Sequence, residues 1–320
     1  MIPNDLNLNK ISKIHKLLSS YVVETPLLEG SSLINEILNT NIIFKLEFLQ
    51  NSGTFKARGA TNNVLHLNES QKEKGITAVS AGNHAIAASY VADKFKLKNK
   101  IFIYNSANAF RVNKCKELNA NINFTDPHNA FNQVDLASKK EGFFFIHPFD
   151  GFLTLQGTAS LGYEISTQLK DFDNIIISVG GGGLIGGVAS AIKQFNHNCK
   201  IIGVEPKGAQ GMTQSLKNNT PMKKVTINTV ADSLSAPLHM PYSFSVCKEV
   251  IDQIVQVSDR ELTNAMKFMF ENCKMLLEPA CVAGIAALLG PLKNKFVNQK
   301  TLILLCGSNI DSKSWCKLVF

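Results

Sequence analysis

The stretch NIIISVGGGGLIGGVASAIKQF, residues 174–195, decides the fold in three parts. Residues 174–179 are an apolar run rich in β-branched side chains, which suits a strand buried on both faces. Gly180–Gly183 then allow a tight turn, and residues 184–195 carry apolar and small side chains at helical spacing. A strand that stops at glycines and turns into a helix is the local unit of a parallel α/β sheet. The glycines leave N–H groups uncovered where the helix dipole adds partial positive charge, so the segment suits an anion such as phosphate. No Lys-Ser or Lys-Thr follows, which excludes a Walker-type nucleotide loop. A dinucleotide site stays open on this segment alone. Gly181, Gly183 and Gly186 satisfy G-x-G-x-x-G, and Glu205 ends the next strand, as in a nicotinamide dehydrogenase.

The same rhythm extends outward in both directions. IIFKLEF (42–48), TAVSA (77–81), KIFIYN (100–105), NINF (121–124), FFFIHPF (143–149), KIIGVE (200–205) and TLILLC (301–306) read as strands. Residues 55–67, 83–95, 109–118, 127–140 and 153–169 read as helices between them. Strands this apolar have no wet face, which predicts an α/β protein with open, mostly parallel sheets covered by helices. Such sheets bind ligands beyond the carboxyl ends of their strands. Ser80–His84, Gly180–Gly183 and Cys306–Asn309 fall at such ends.

The 320 residues suffice for a large core in two packed lobes, and 45% hydrophobic against 18% charged residues is a soluble globular balance. The net charge of +8 raises the question of nucleic acid. Only Arg58, Arg111 and Arg260 are arginines and the lysines are dispersed, so the clustered, aromatic-lined groove that nucleic acid needs is missing. No apolar run reaches membrane-spanning length, and MIPNDLNLNKISKIHK at the start lacks a signal-peptide core. A cytoplasmic location, no membrane partner and no appended regulatory domain after residue 310 are expected. The seven cysteines, without CxxC spacing, read as free thiols of a reducing compartment. A homodimer is the expected assembly.

Further stretches carry chemistry. In NSGTFKARGA (51–60), Lys56 stands between an aromatic residue and small ones just after a turn. Apolar surroundings disfavour its ammonium form and leave an amine able to condense with an aldehyde. Locally, a surface lysine opening a helix explains it as well. Ser80-Ala81-Gly82-Asn83-His84 precedes a helix whose first N–H groups suit a carboxylate, with Ser80 and the Asn83 amide as oriented partners. A Ser/Asn helix cap is the plainer alternative. For Cys306 the plain reading is a buried structural thiol. Leu277-Glu278-Pro279-Ala280 opens a small-residue helix and puts a carboxyl near the same cleft.

In their order and spacing, TFKARGA (54–60), SAGNHA (80–85), GGGGL (180–184), GVEP (203–206) and CGSNID (306–311) resemble the serine/threonine dehydratase family. These are fold-type II pyridoxal-phosphate enzymes, a group that includes serine racemase. The resemblance runs from about residue 20 to residue 312. It implies a two-lobed, tryptophan synthase β-like α/β fold. Residues 1–52 and 150–320 would form the large lobe and 53–149 the small one, with pyridoxal 5′-phosphate between them. Lys56 would form the internal Schiff base and act as the α-proton base. Gly180, Gly181, Gly182, Gly183 and Leu184 would hold the phosphate. Asn83 would bond the ring 3′-hydroxyl, and Cys306 would face the ring nitrogen. The loop Ser80, Ala81, Gly82, Asn83 and His84 would hold the carboxylate of a small amino-acid substrate. The implied activity converts L-threonine or L-serine to 2-oxobutanoate or pyruvate and ammonia, the β-hydroxyl leaving after protonation through the cofactor phosphate. Racemisation of serine, or elimination from another hydroxy-amino acid such as 3-hydroxyaspartate, is the alternative.

Departures from the family pattern sharpen the expectation. Racemase-like members carry a second serine where this chain has Ala81, which has no proton to give, so dehydration is favoured. A cation site of some relatives is matched by Glu205 and Ala209 but broken at Gly211, so no metal is expected. A neutral thiol beside the ring nitrogen makes a weaker electron sink and favours elimination over transamination. Residues 231–245 are expected to shape the side-chain pocket, with Ser233, Pro237 and His239 as contributors.

Overall fold

The computed structural model describes residues 1–320. Ten strands form: β1 (Leu27–Glu29), β2 (Asn41–Lys45), β3 (Ile76–Ser80), β4 (Asn99–Tyr104), β5 (Ile122–Thr125), β6 (Phe144–Phe145), β7 (Asn174–Ser178), β8 (Lys200–Pro206), β9 (Gln253–Val257) and β10 (Lys300–Leu304). The order β1-β2-β10-β7-β8-β9 makes a six-stranded sheet, and β5-β4-β3-β6 makes a second sheet. All pairs are parallel except β1 with β2.

The apolar run at 174–179 becomes β7, buried along its whole length, with Ile176 beside Ile303 on one flank and Ile202 on the other. The helices Phe152–Gln168 and Gly183–Phe195 pack closely on each other. A methyl group on Gly187 would lie 2.0 Å from Thr158 Oγ1, and one on Gly162 would lie 2.2 Å from the Val188 carbonyl, so only glycine allows this approach. Each sheet has its own core: Ile175, Ile177 and Ile303 in the larger, Ile76, Ile101 and Ile103 in the smaller.

Strand order reverses once in each sheet. The chain runs β7-β8-β9 one way but places β10 and β2 on the other side of β7; likewise β4 and β5 lie on one side of β3 and β6 on the other. Gly180–Gly183 follow β7, Cys306–Asn309 follow β10 and Ser80–His84 end β3, so the three motifs sit where strand order switches.

Several boundaries differ from the sequence expectation. The strand expected at 143–149 pairs only through Phe144–Phe145, since Pro148 lacks an N–H and His147-Pro148-Phe149 leaves the sheet. The strand expected at 42–48 stops at Lys45, and Glu47–Leu49 forms a 3₁₀ turn. The helix expected from residue 277 begins at Ala283. Strands β1 and β9 and the helices Leu8–Leu18, Pro241–Val250 and Asp259–Cys273 are additional. The last was legible: Ser258 and Glu261 form a capping box at its start. No helix is long and apolar enough to cross a membrane.

A dry cluster of four charges holds the helix that begins at Lys56. Arg58 donates from Nε to Glu47 Oε1 at 2.6 Å and from Nη2 to Glu47 Oε2 and Glu164 Oε1, each at 3.0 Å. Lys45 Nζ donates to Glu164 Oε1 at 2.6 Å, to the Thr25 carbonyl at 2.5 Å and to Gln168 at 2.7 Å. Two cations face two carboxylates, so the cluster is neutral.

Candidate active site

The carboxyl ends of both sheets open onto one cavity of ≈ 440 Å³ that brings together Lys56, Ser80–His84, Gly180–Gly183 and Cys306. Backbone pairing places the lysine. Phe55 donates its N–H to the Cys306 carbonyl at 3.0 Å, and Thr54 bridges to Gly307, so Lys56 opens its helix beside the end of β10. Its Nζ donates to the Pro148 carbonyl and lies 4.9 Å from the Phe55 ring centroid. Burial lowers its pKa to about 8, with Cys306 acting weakly the other way.

The glycine turn presents a row of donors. No acceptor in the chain meets the N–H groups of Gly181, Gly182, Gly183, Leu184 or Ile185, and all five residues are buried. Five buried donors without partners would be costly unless an anion takes them. Gly182 has φ +94°, and a methyl group there would meet Met212 and Cys247, so the turn requires glycine.

A second donor row starts the helix Asn83–Lys94, where the N–H groups of Asn83, His84 and Ala85 likewise lack acceptors. The loop contributes backbone more than side chains. Ser80 Oγ accepts from the Gly82 N–H at 3.0 Å, so it supports the turn. His84 Nε2 faces the Ile146 carbonyl at 2.8 Å; burial, with the Lys56 charge adding to it, lowers its pKa to about 3 and keeps the ring neutral. Ala81 offers only a methyl group.

Asn83 sits in a denser network than expected. Its Nδ2 donates to Glu278 at 2.6 Å and Ser233 at 3.1 Å, while its Oδ1 accepts from Asn309 at 2.7 Å. A ring hydroxyl would compete with Ser233, the longer of the two donor bonds. Ser233 and Pro237 line the cavity, but His239 lies outside it, against Gly211.

Sequence reasoning did not find Arg111. Its Nε donates to the Asn309 carbonyl at 2.8 Å and its Nη2 to Glu278 Oε2 at 3.2 Å, while Nη1 pairs with Asp232. Those two carboxylates outweigh burial and hold the guanidinium charged. His147 was also missed. Its Nδ1 accepts from the Asp150 N–H at 2.9 Å, and burial lowers its pKa to about 3. Only the rarity of arginine could have signalled Arg111, and nothing local marks His147.

Glu205 does not serve a ribose. It is fully buried and accepts from the N–H groups of Met212 and Thr213 at 2.6 and 2.9 Å and from Thr213 Oγ1 at 2.7 Å. It caps the helix Gly211–Lys217, which removes the acid that a dinucleotide site requires.

The family described as "Pyridoxal-phosphate dependent enzyme" matches residues 18–307. Phenylserine dehydratase of Ralstonia pickettii is 39% identical over 312 residues, covering 97% of this chain and 95% of that protein. L-threonine ammonia-lyase of Thermotoga maritima is 33% identical over 310 residues, covering 96% of this chain and 76% of that one. Among solved structures, maize serine racemase superposes with a TM-score of 0.90 at 29% identity, covering 98% of this chain and 96% of that one.

Proposed function

The chain belongs to the pyridoxal-phosphate-dependent enzyme family, and on that premise we propose that it dehydrates L-3-hydroxy-2-amino acids. L-Threonine would give 2-oxobutanoate and L-serine pyruvate, each with ammonia. One observation carries this reading: a lysine with depressed pKa and two separate rows of unpartnered N–H groups share a single cavity. The names of the dehydratase and ammonia-lyase relatives support it. The lobes would be residues 1–52 with 150–320 and residues 53–149, each built around its own sheet. A cytoplasmic homodimer completes the proposal, as the commonest closed assembly.

The residues present fit the cofactor. The N–H groups of Gly181–Ile185 would hold its phosphate, Lys56 would anchor it and Cys306 would lie at its ring nitrogen. When bound, pyridoxal phosphate supplies an aldehyde carbon for the substrate amine and a conjugated ring that takes up the electron pair left at the α-carbon. Everything else falls to side chains and backbone. The N–H groups of Asn83, His84 and Ala85 orient the substrate carboxylate. Lys56 Nζ, uncharged above about pH 8, removes the α-proton. The β-hydroxyl departs as water, and hydrolysis of the released enamine restores that water, so threonine yields 2-oxobutanoate and ammonium with no net change in water. Ala81 cannot return a proton on the opposite face, which separates this site from a racemising one.

The purified holoenzyme is expected to release 2-oxo acid and ammonia in equal amounts from L-threonine or L-serine. Pyruvate from D-serine alone would sink the proposal. The depressed lysine pKa has its own signature. Recombination of the cofactor-free chain with pyridoxal phosphate should accelerate as pH rises and level off above about 8, well below the ordinary lysine value of 10.5. Stopped-flow absorbance reads this directly, and a rate still climbing past pH 9.5 would contradict the buried amine.

A further inference from the structure

We propose that a small second cavity against Lys56 is a site for one ordered water molecule, held by the free N–H of His147, and that His147 positions the Lys56 amine through this water. The inference rests on the reading of Lys56 as anchor and base, and deepens it. The cavity measures ≈ 10 Å³ and lies between the helix that opens at Lys56 and the helix Phe152–Gln168. Lys56, His84, His147 and Thr158 are among the residues that line it. A single water needs about 10–15 Å³ and two to four polar partners, so the space suits one molecule and no larger ligand.

The two imidazoles offer complementary groups to that space. His147 Nδ1 accepts from the Asp150 N–H at 2.9 Å and from the Phe149 N–H at 3.3 Å. Two donors at one nitrogen leave it unprotonated, so in the neutral ring the proton sits on Nε2. That Nε2–H is buried and meets no acceptor in the chain. His84 has the opposite tautomer. Its Nε2 donates to the Ile146 carbonyl at 2.8 Å, which leaves an unbonded lone pair on Nδ1. Burial, reinforced by the Lys56 charge, keeps both rings neutral. A water here accepts from His147 and has two protons to give, one to His84 Nδ1 and one to the lone pair of Lys56 Nζ. A buried N–H without a partner is costly, and the water removes that cost.

This arrangement favours the free amine. A hydrogen donated to the Nζ lone pair stabilises the uncharged form, in the same sense as burial. The titratable groups that face Lys56 are Cys306 after β10, His84 at the start of the helix Asn83–Lys94, and His147 after β6. Arg111, Asp232 and Glu278 also line the main cavity, but there the arginine pairs with both carboxylates. Cys306 and His84 already direct their hydrogens at backbone carbonyls. Only His147 keeps a donor hydrogen with no other use.

The test uses two amides that each copy half of the imidazole. His147→Asn keeps an oxygen where Nδ1 accepts but lacks the distal N–H, whereas His147→Gln keeps a distal N–H and lacks that acceptor. Without the water, the Lys56 pKa should rise from about 8 by roughly one unit. His147→Asn should therefore recombine with pyridoxal phosphate roughly tenfold more slowly than wild type at pH 7, and at the wild-type rate at about pH 10. His147→Gln should follow the wild-type profile at both. A high-resolution crystal structure of the wild-type holoenzyme should show the water within hydrogen-bond distance of His147 Nε2. A defect of equal size at every pH, equal behaviour of the two variants, or a protein acceptor at Nε2 in that structure would overturn the water site and leave the dehydratase reading standing. Recombination as expected, with no keto acid from L-threonine or L-serine, would instead remove the dehydratase reading and keep the site.

Discussion

Replacing Lys56 with alanine is expected to lower turnover of L-threonine and L-serine by at least ~10⁴-fold, the upper end for loss of a single general base. In the proposed site the same amine would also anchor the cofactor, so two roles would vanish together. Borohydride treatment of the wild-type holoenzyme should fix the cofactor to the chain at this residue and at no other. Among the lysines only Lys56 lines the cavity; the one fully buried lysine, Lys45, is tied to Glu164, Thr25 and Gln168. The fold should survive. What positions residue 56 is backbone pairing, through the Phe55 N–H to Cys306 and the Thr54–Gly307 bridge, and neither depends on the lysine side chain. If Gly181–Ile185 hold the phosphate as proposed, that anchoring should persist and leave a variant that binds the cofactor without linking to it. Lys56→Arg separates charge from chemistry: it keeps a cation but cannot supply a neutral amine, so it should be as inactive as alanine. Turnover above about 1% in either variant, or borohydride fixation at a second lysine, would remove Lys56 from its central place.

What could be read beforehand was what the chain writes locally. A glycine run between an apolar strand and a helix makes a donor row wherever it folds, so the row at Gly181–Ile185, one residue on from the expected Gly180–Leu184, needed no tertiary knowledge. The helix start at Asn83 was legible for the same reason. Partners that meet only after folding were not. Arg111 touches Asp232, Glu278 and Asn309, between 121 and 198 residues away in sequence, and none of these pairings leaves a periodic trace. The turn after β6 was hidden differently. Residues 143–149 read as an uninterrupted strand, whereas Pro148 ends the pairing and lets Phe149 turn toward the cleft. Glu205 shows the opposite failure. It stands where a ribose-binding acid belongs, yet the N–H groups of Met212 and Thr213 claim its oxygens, a use that only the helix after it discloses.

The largest stability effect is expected at Glu164. Glu164→Gln keeps the side-chain shape but leaves Lys45 and Arg58 facing a single carboxylate, Glu47, in a cluster with no water contact. Breaking a buried ion pair from one side costs about 3–5 kcal/mol, because the remaining charge is left uncompensated. For a chain of this size that is a fall in melting temperature on the order of 10 °C. Pairing the substitution with Lys45→Met restores neutrality, so the double variant should be more stable than Glu164→Gln alone. The wild type carries a pH signature of the same cluster. Burial pushes the Glu164 pKa up, but Arg58 and Lys45 outweigh it and hold the carboxyl below its ordinary value of 4.5. A depressed carboxylate stabilises the fold fully above that value, and the contribution is lost as pH falls through the folded-state pKa. Acid should therefore narrow the gap between wild type and Glu164→Gln, and calorimetry at pH 7 and pH 4 reads it. A double variant as unstable as the sum of its singles would show that the charges do not act as a unit. Arg58 lies two residues after Lys56 in the same helix, so loosening the cluster should also slow recombination with the cofactor, linking a charge remote from the cavity to the placement of the amine within it.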